Sequence, residues 1–314
     1  MRKTGLAHWP FSIFNLIRPL LIAGVIFLAP AFAWSKSVDG AKLPFEVRFQ
    51  GSDKFDRLVA RAAAENWNKL EIGDRVAMVG RALAGTPYQS FTLEIDDRIE
   101  AASANLSGMD CWTFFEISLA FARMIEEPRE NWTPENLLNY VEVDRYRDGK
   151  CTGSYLSRLH YLEDWSLDNE RRGLLKDLTR SLGGTKGTHR ASEMTSGWKQ
   201  YRYLRSNPSL LPGIARMEER VTDLPLYYIP IRKVKYASPK IHNGDIICIV
   251  SKDGGPFVST SHVGLAVKDS SGSVHFMHAS SPRNYGKVLI DDEISRYLRR
   301  YTTDVGIMVV RPLK

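Results

Sequence analysis

Two segments, Ser261-His262-Val263-Gly264-Leu265-Ala266-Val267-Lys268 and Val274-His275-Phe276-Met277-His278-Ala279-Ser280, decide how the chain folds. Each is short, rich in β-branched and large apolar residues, and bounded by turn formers, so each reads as a strand. Asp269-Ser270-Ser271-Gly272 between them is a hairpin turn. A connection of three or five residues sets His262 opposite His278 on one sheet face and turns His275 to the other.

Working outward, residues 227–231, 245–250 and 306–310 have the same strand character, and only 293–301 interrupts them as a helix. The first half reads differently. Apolar residues recur at helical spacing over 53–70 and 74–84, and 111–125 is the most apolar helix candidate, stopped by Pro128. Residues 133–143 form a further helix, with Thr133 as N-cap and Pro134 in its first turn. A short strand is expected at 91–95, and helical stretches at 169–182 and 190–204. Helices first and an antiparallel sheet afterwards is an α+β arrangement. Residues 127–222 then form a mainly helical insertion within one domain spanning 34–314.

The chain has 314 residues, 43% of them hydrophobic and 25% charged. That suffices for a sizeable core and excludes intrinsic disorder and collagen-like repetition. Lys and Arg number 43 against 36 Asp and Glu, a surplus of seven. Three of these, Arg2, Lys3 and Arg18, sit in an N-terminal leader, so four remain. This is no nucleic-acid footprint, although it suits an anionic polymer such as cell wall. The leader continues as Pro-Leu-Leu-Ile-Ala-Gly-Val-Ile-Phe-Leu-Ala-Pro-Ala-Phe-Ala over residues 19–33, ending in a small-x-small cleavage pattern. The run is shorter than the roughly twenty residues a membrane span needs. Residues 1–33 are therefore expected to be a signal peptide, and the remainder to be exported, with the periplasm as its expected location. Membrane attachment would follow only if the leader stays uncleaved, with residues 11–16 extending the span.

Cys111 opens the apolar helix directly after Gly108-Met109-Asp110. At a first helical turn the dipole and unsatisfied N–H groups favour a thiolate, and the same N–H groups can stabilise the oxyanion of acyl transfer. A cysteine, a histidine on a downstream strand and a second histidine to orient the first form an activated-nucleophile arrangement in chain order. Cys111, His262 and His278 are thus the candidate catalytic set. A buried structural cysteine and two locally satisfied histidines are the alternative. Cys151 and Cys248 either pair in an oxidising compartment or stay apart, Cys248 being inside an apolar strand. No Cys/His spacing suits zinc and no glycine-rich signature suggests a nucleotide, so neither a metal nor a cofactor is expected.

The order Gly85-Thr86-Pro87-Tyr88, Asp110-Cys111, Gly244-Asp245-Ile246, Ser261-His262-Val263-Gly264-Leu265 and Met277-His278-Ala279-Ser280 resembles the NlpC-type cysteine hydrolases, papain-like cell-wall enzymes with a Cys–His–polar triad. Trp112-Thr113 departs from the Ser-Gly usual after the cysteine, and Gln89-Ser90-Phe91 from the usual Gly pair after the tyrosine. Those departures, the insertion, Arg145-Tyr146-Arg147-Asp148-Gly149 and the run from Ser157 to Trp165 resemble one branch, the N-acetylmuramoyl-L-alanine amidase-like group. The resemblance covers roughly residues 73–311 and implies a papain-like NlpC-type fold, with helices packed on a central antiparallel sheet. It implies Cys111 as nucleophile, His262 as general base and later acid, His278 as orienter and Tyr88 beside the oxyanion. It implies either substrate contact or a helix N-cap for Asp110.

Arg145, Arg147 and Arg158 are candidates for stem-peptide carboxylates, and Tyr161 and Trp165 for stacking on sugar faces. A solvated face and core packing are the alternatives, and His160 among them is expected to be structural. The implied activity is hydrolysis of the N-acetylmuramoyl-L-alanine amide in peptidoglycan or soluble muropeptides, with an anhydro-sugar fragment as preferred substrate and no stable protein partner. A stem-peptide endopeptidase, a non-catalytic muropeptide-binding protein and an acyltransferase to another acceptor are the rival readings.

Overall fold

The run Ile246-Ile247-Cys248-Ile249-Val250 is buried throughout, and its alternate residues serve two cores. Ile246, Cys248 and Val250 pack with Val263, Leu265 and Met277 against the helices, while Ile247 and Ile249 pack with Phe276 and Val309 on the other face. A strand apolar on both sides must be covered on both sides, which fixes a layered α/β arrangement. The computed structural model describes residues 43–313. The leader expected over 1–33 lies outside them. Among the described residues, no helix is long and apolar enough to cross a membrane.

A two-residue parallel pair, β1 (Phe49–Gln50) with β2 (Ala104–Asn105), stands apart from the main sheet. The main sheet comprises β3 (Leu175–Asp177), β4 (Thr185–Lys186), β5 (Tyr227–Pro230), β6 (Ile246–Lys252), β7 (Val258–Lys268), β8 (Val274–Ala279), β9 (Val288–Glu293) and β10 (Asp304–Pro312). Its order is β4-β5-β10-β6-β7-β8-β9, with β3 also on β10, and every pairing is antiparallel.

Helix Cys111–Met124 lies against β7 with nearly every side chain after Trp112 buried. Its start is fixed by a capping box: the Asp110 carboxylate accepts from the Thr113 N–H at 2.8 Å, and the Thr113 hydroxyl accepts from the Asp110 N–H at 3.1 Å. Helix Ile72–Ala82 covers it, and Pro134–Arg145, capped by Thr133 as expected, packs beside it. Between the sheet and these helices sit Phe114, Phe115, Phe121, Val76 and Val79.

Several elements differ from the sequence reading. Residues 91–95 form turns rather than a strand, because Phe91 takes φ 60° and stays exposed while Thr92 and Glu94 turn inward as polar anchors. The helix expected at 169–182 lies earlier, at Leu162–Arg171, and Gly173 at φ 74° redirects the chain into β3. The stretch 190–204 breaks into Glu193–Ser196 and Arg202–Ser206. Helix Leu211–Asp223, strand β9 and the short strands β3 and β4 have no counterpart in the sequence reading, although Leu211, Ile214, Met217 and Val221 carry a helical period.

The decisive hairpin has a five-residue connection, with Lys268 paired to Val274 and Leu265 to Met277. Continuing that register sets Gly264, not His262, against His278. His262 lies two residues further along the same face, so the two rings meet across the diagonal. A Cβ on Gly264 would stand 2.5 Å from the Met277 carbonyl oxygen and 2.9 Å from the His278 Cβ, so only glycine lets the strands close there.

Candidate active site

His262 Nε2 lies 2.7 Å from His278 Nδ1, and His278 Nε2 lies 3.3 Å from Asp291 Oδ2. His278 is 2% exposed, stacked on Phe276 and edge-on to Tyr297. Asp291, on β9, also accepts from Arg300 at 3.1 Å. Burial alone would raise the Asp291 carboxyl, but the hydrogen bonds from His278 and Arg300 outweigh it and hold the group well below the usual carboxylate range.

A carboxylate at the end of this chain fixes the tautomers. Asp291 accepts the His278 Nε2–H, which leaves His278 Nδ1 as an acceptor for the His262 Nε2–H. The lone pair of His262 is then on Nδ1, ready to take a proton. Asp291 escaped the sequence reading because β9 did; its signal was an acidic pair, Asp291-Asp292, in a stretch of alternating apolar residues.

Cys111 borders two cavities. The first, of about 210 Å³, is lined by Cys111, His262, His160, Glu163, His189 and Tyr161 among others. The second, of about 330 Å³, is lined by Cys111, Tyr88, Asp110, Arg158, Tyr155 and His160 among others. Trp112, Met194 and Tyr201 border both. His262 faces only the first, and Tyr88 and Asp110 only the second.

The Cys111 thiol is not acidified as its helical position suggested. Burial, then the adjoining Asp110 carboxylate, push it up to about 12, against backbone N–H donors of Val263, Trp112 and Cys111 itself. Burial and the neighbouring His278 lower His262 to about 3. At rest Cys111 is therefore a neutral thiol and His262 a neutral imidazole. Burial pushes the Tyr88 hydroxyl up to about 12, with Cys111 and Asp110 adding, which keeps it a donor.

The other expected site residues divide. Tyr161 lines the first cavity, its hydroxyl donating to Glu218 at 2.6 Å. Arg158 lines the second but is already paired with Glu94 at 2.7 Å and donates to the Leu93 carbonyl. Arg145, Arg147 and Trp165 are not among the residues that line either cavity. Arg145 is buried, with Nε donating to Glu116 at 2.7 Å, and Glu116 in turn accepts from the Trp112 indole at 3.3 Å. Arg147 pairs with Asp164, and Trp165 packs edge-on against Phe115 inside the core. A desolvated cation needs a carboxylate, and Arg145 finds its own in Glu116, while the half-buried Arg147 pairs with Asp164.

Asp110 is the helix cap and also accepts from the Thr92 hydroxyl at 2.9 Å. His160, neutral through burial and the nearby Arg158, lines both cavities with Nε2 2.9 Å from the Tyr155 carbonyl. Glu163 and His189, unremarked in the sequence, line the first cavity. Cys151 and Cys248 are both free thiols. Among the described residues no group of three His, Cys, Asp or Glu is placed to hold a metal ion.

The family described as N-acetylmuramoyl-L-alanine amidase-like matches residues 78–307. An N-acetylmuramoyl-L-alanine amidase from Bacteroides uniformis is similar in structure, with a TM-score of 0.68 and 28% identity over 77% of this chain and 99% of its own. A Bacteroides fragilis protein, assigned provisionally as a xylanase, gives 0.66 and 32% over 74% and 99%. A Legionella pneumophila protein shares the fold, with a TM-score of 0.59 and 20% identity over 84% of this chain and 97% of its own. No curated protein matches the chain.

Proposed function

Because the chain belongs to the N-acetylmuramoyl-L-alanine amidase-like family, we propose that it is an exported cysteine amidase cleaving the bond between N-acetylmuramic acid and L-alanine. The observation that carries the mechanism is the chain His262–His278–Asp291, whose His262 lines the cavity that Cys111 borders. His262 Nδ1 takes the thiol proton as the sulfur adds to the lactyl carbonyl. Negative charge develops on the carbonyl oxygen, where the helix N-terminus and the Tyr88 hydroxyl favour it. His262 returns the proton to the alanine nitrogen, the C–N bond breaks, and the peptide leaves with a free amino terminus. Water, deprotonated by the same imidazole, then hydrolyses the thioester to a muramoyl carboxylate and restores the thiol.

The Cys–His–polar order and Tyr88 ahead of the cysteine support placement among the NlpC-type, papain-like hydrolases. Two cavities of a few hundred Å³ meeting at one thiol suit a soluble muropeptide better than an intact polymer. The basic, apolar leader supports export, and a mature amino terminus at Trp34 is its expected signature.

Mass spectrometry of an anhydro-disaccharide–tetrapeptide, incubated with the protein and with Cys111→Ala, tests the reading. Release of disaccharide and intact tetrapeptide by the wild type alone is the expected result. Cleavage inside the peptide would make the enzyme an endopeptidase, and turnover by neither protein would overturn the enzymatic reading.

A further inference from the structure

The first turn of helix Leu162–Arg171 carries Glu163, which is 7% exposed and lines the cavity that His262 borders. Its Oε2 is buried and has no hydrogen-bond partner in the protein. Every other buried carboxylate discussed above is matched: Glu116 by Arg145, Glu94 by Arg158, Asp291 by His278 and Arg300. The basic side chains of the cavity are engaged elsewhere: His189 Nε2 lies 2.9 Å from the Leu224 carbonyl, and Arg190 stacks on Phe257 at 4.9 Å. A desolvated oxygen left without a donor inside a ligand cavity is a place where the ligand brings the donor.

Which part of the substrate arrives there follows from proton bookkeeping. The proton removed from Cys111 is returned by His262 to the departing nitrogen, so that nitrogen must lie on the His262 side of the thiol. Only the first cavity includes His262, whereas the second holds Tyr88, suited to the acyl carbonyl. We propose that the first cavity is the leaving-group subsite and that Glu163 Oε2 accepts the N–H of the amino acid whose amide is broken. This rests on the amidase reading and deepens it by dividing the substrate: peptide on the Glu163 side, muramoyl group on the Tyr88 side.

The placement has a second consequence. The scissile nitrogen begins as an N–H donor, gains one proton from His262 on cleavage, and becomes an ammonium after a further proton from solvent. Glu163 therefore meets a donor in the substrate and a cation in the product. Thr260, on β7 two residues before His262, lines the same cavity as Glu163. Burial raises the Glu163 pKa, in keeping with an oxygen lacking its partner.

Three proteins test this: wild type, Glu163→Leu, which removes the acceptor, and Glu163→Gln, which keeps an acceptor without charge. Each is assayed on the muramoyl–alanyl amide and on a depsipeptide with lactate in place of alanine, whose scissile oxygen carries no hydrogen. On the amide, kcat/KM should fall about 100-fold in Glu163→Leu and recover to within about fivefold in Glu163→Gln. The depsipeptide rate should change less than about threefold in either. In a Cys111→Ala background, calorimetry with L-alanyl-γ-D-glutamyl-diaminopimelate should show about tenfold weaker binding for both substitutions, and unchanged binding of N-acetyl-anhydromuramic acid. Equal losses on amide and depsipeptide would reduce Glu163 to a structural role and overturn the proposal. Weakened sugar binding with unchanged peptide binding would overturn the division of the cavities. Failure of the wild type to cleave the amide at all would remove the underlying reading instead. Should Glu163→Leu not fold, Glu163→Asp withdraws the oxygen by one methylene and is read the same way.

Discussion

The β7–β9 region and the helical stretch from Arg145 to Asp223 both bury polar side chains, and they do so to opposite ends. On the sheet, His262, His278 and Asp291 form a hydrogen-bonded chain that terminates at a cavity. In the helical stretch, Arg145, Arg147 and Arg158 terminate on Glu116, Asp164 and Glu94, carboxylates of the same protein. A buried charge that is matched at hydrogen-bond distance holds the fold. A buried polar chain whose last atom faces open space is available for chemistry.

The largest effect should come from breaking the sheet chain at its open end. His262→Ala is expected to lower kcat by about 10³–10⁴-fold while the thermal midpoint stays close to wild type, since the ring sits on the cavity wall. A loss of less than about tenfold would mean that the proton goes elsewhere. The same residue governs acid behaviour. His262 is neutral in the folded protein down to about 3, whereas an unfolded histidine titrates near 6.5, so the unfolded chain binds the extra proton between those values. Stability from this site is therefore full above about 6.5 and declines as pH falls toward 3, and His160, also held neutral, acts in the same sense. Activity and tryptophan fluorescence should accordingly be lost together on acidification. Activity falling first, near pH 6, would show that His262 titrates like an exposed histidine.

Second in size is the matched set. Arg145→Ala leaves Glu116 buried without its cation, and removing one partner of such a pair costs roughly 3–5 kcal/mol. Urea denaturation should register that loss, while KM for a muropeptide changes little in the fraction that remains folded. A large rise in KM at unchanged stability would return Arg145 to the substrate side of the comparison.

Third is the far end of the sheet chain. In Asp291→Asn the amide can donate to His278 Nε2, which reverses the tautomer and turns both rings the wrong way round. A fall in kcat of about 10²-fold is expected, with KM nearly unchanged, because Asp291 acts through His278 and His262 rather than on substrate. Asp291→Glu should recover part of it. Equal losses in both variants would point to disrupted packing of β9 instead.

The unequal legibility of these two regions has a physical cause. Strand alternation and a turn of odd length put His262 and His278 on one face whatever the remaining structure, and Asp110-Cys111 announced a capped, apolar helix through local rules alone. The diagonal offset of the two histidines was not readable, because it depends on the residue at which the turn is centred: Ser271 here, where Ser270 would have set them directly opposite. Asp291 was hidden in β9, whose apolar Val288 and Ile290 alternate too briefly to stand out. In the helical stretch nothing local distinguishes an arginine bound for a substrate from one bound for Glu116, since the partner lies 29 positions away in sequence. Glu163 was invisible for the converse reason: its significance is a partner that it lacks, and only packing reveals that.

The smallest expected effect tests the junction of the two regions, where Asp110 caps the helix and presses on the thiol. Its carboxylate does two separable things. It accepts from the Thr113 N–H and the Thr92 hydroxyl, which stabilises the helix start, and it raises the Cys111 thiol by placing an acidic group beside it. Asparagine is as good an N-cap as aspartate but carries no charge, whereas alanine removes both functions. Asp110→Asn should therefore leave stability nearly unchanged and make Cys111 a few-fold more reactive toward iodoacetamide at neutral pH. Asp110→Ala should show the same gain in reactivity together with a loss of about 1 kcal/mol. If neither variant alkylates faster, burial alone sets the thiol and the neighbouring carboxylate is only a cap. If Asp110→Asn alkylates faster but turns over more slowly, a neutral thiol is what the site requires, and the proton it hands to His262 during attack is the one that the alanine nitrogen later needs.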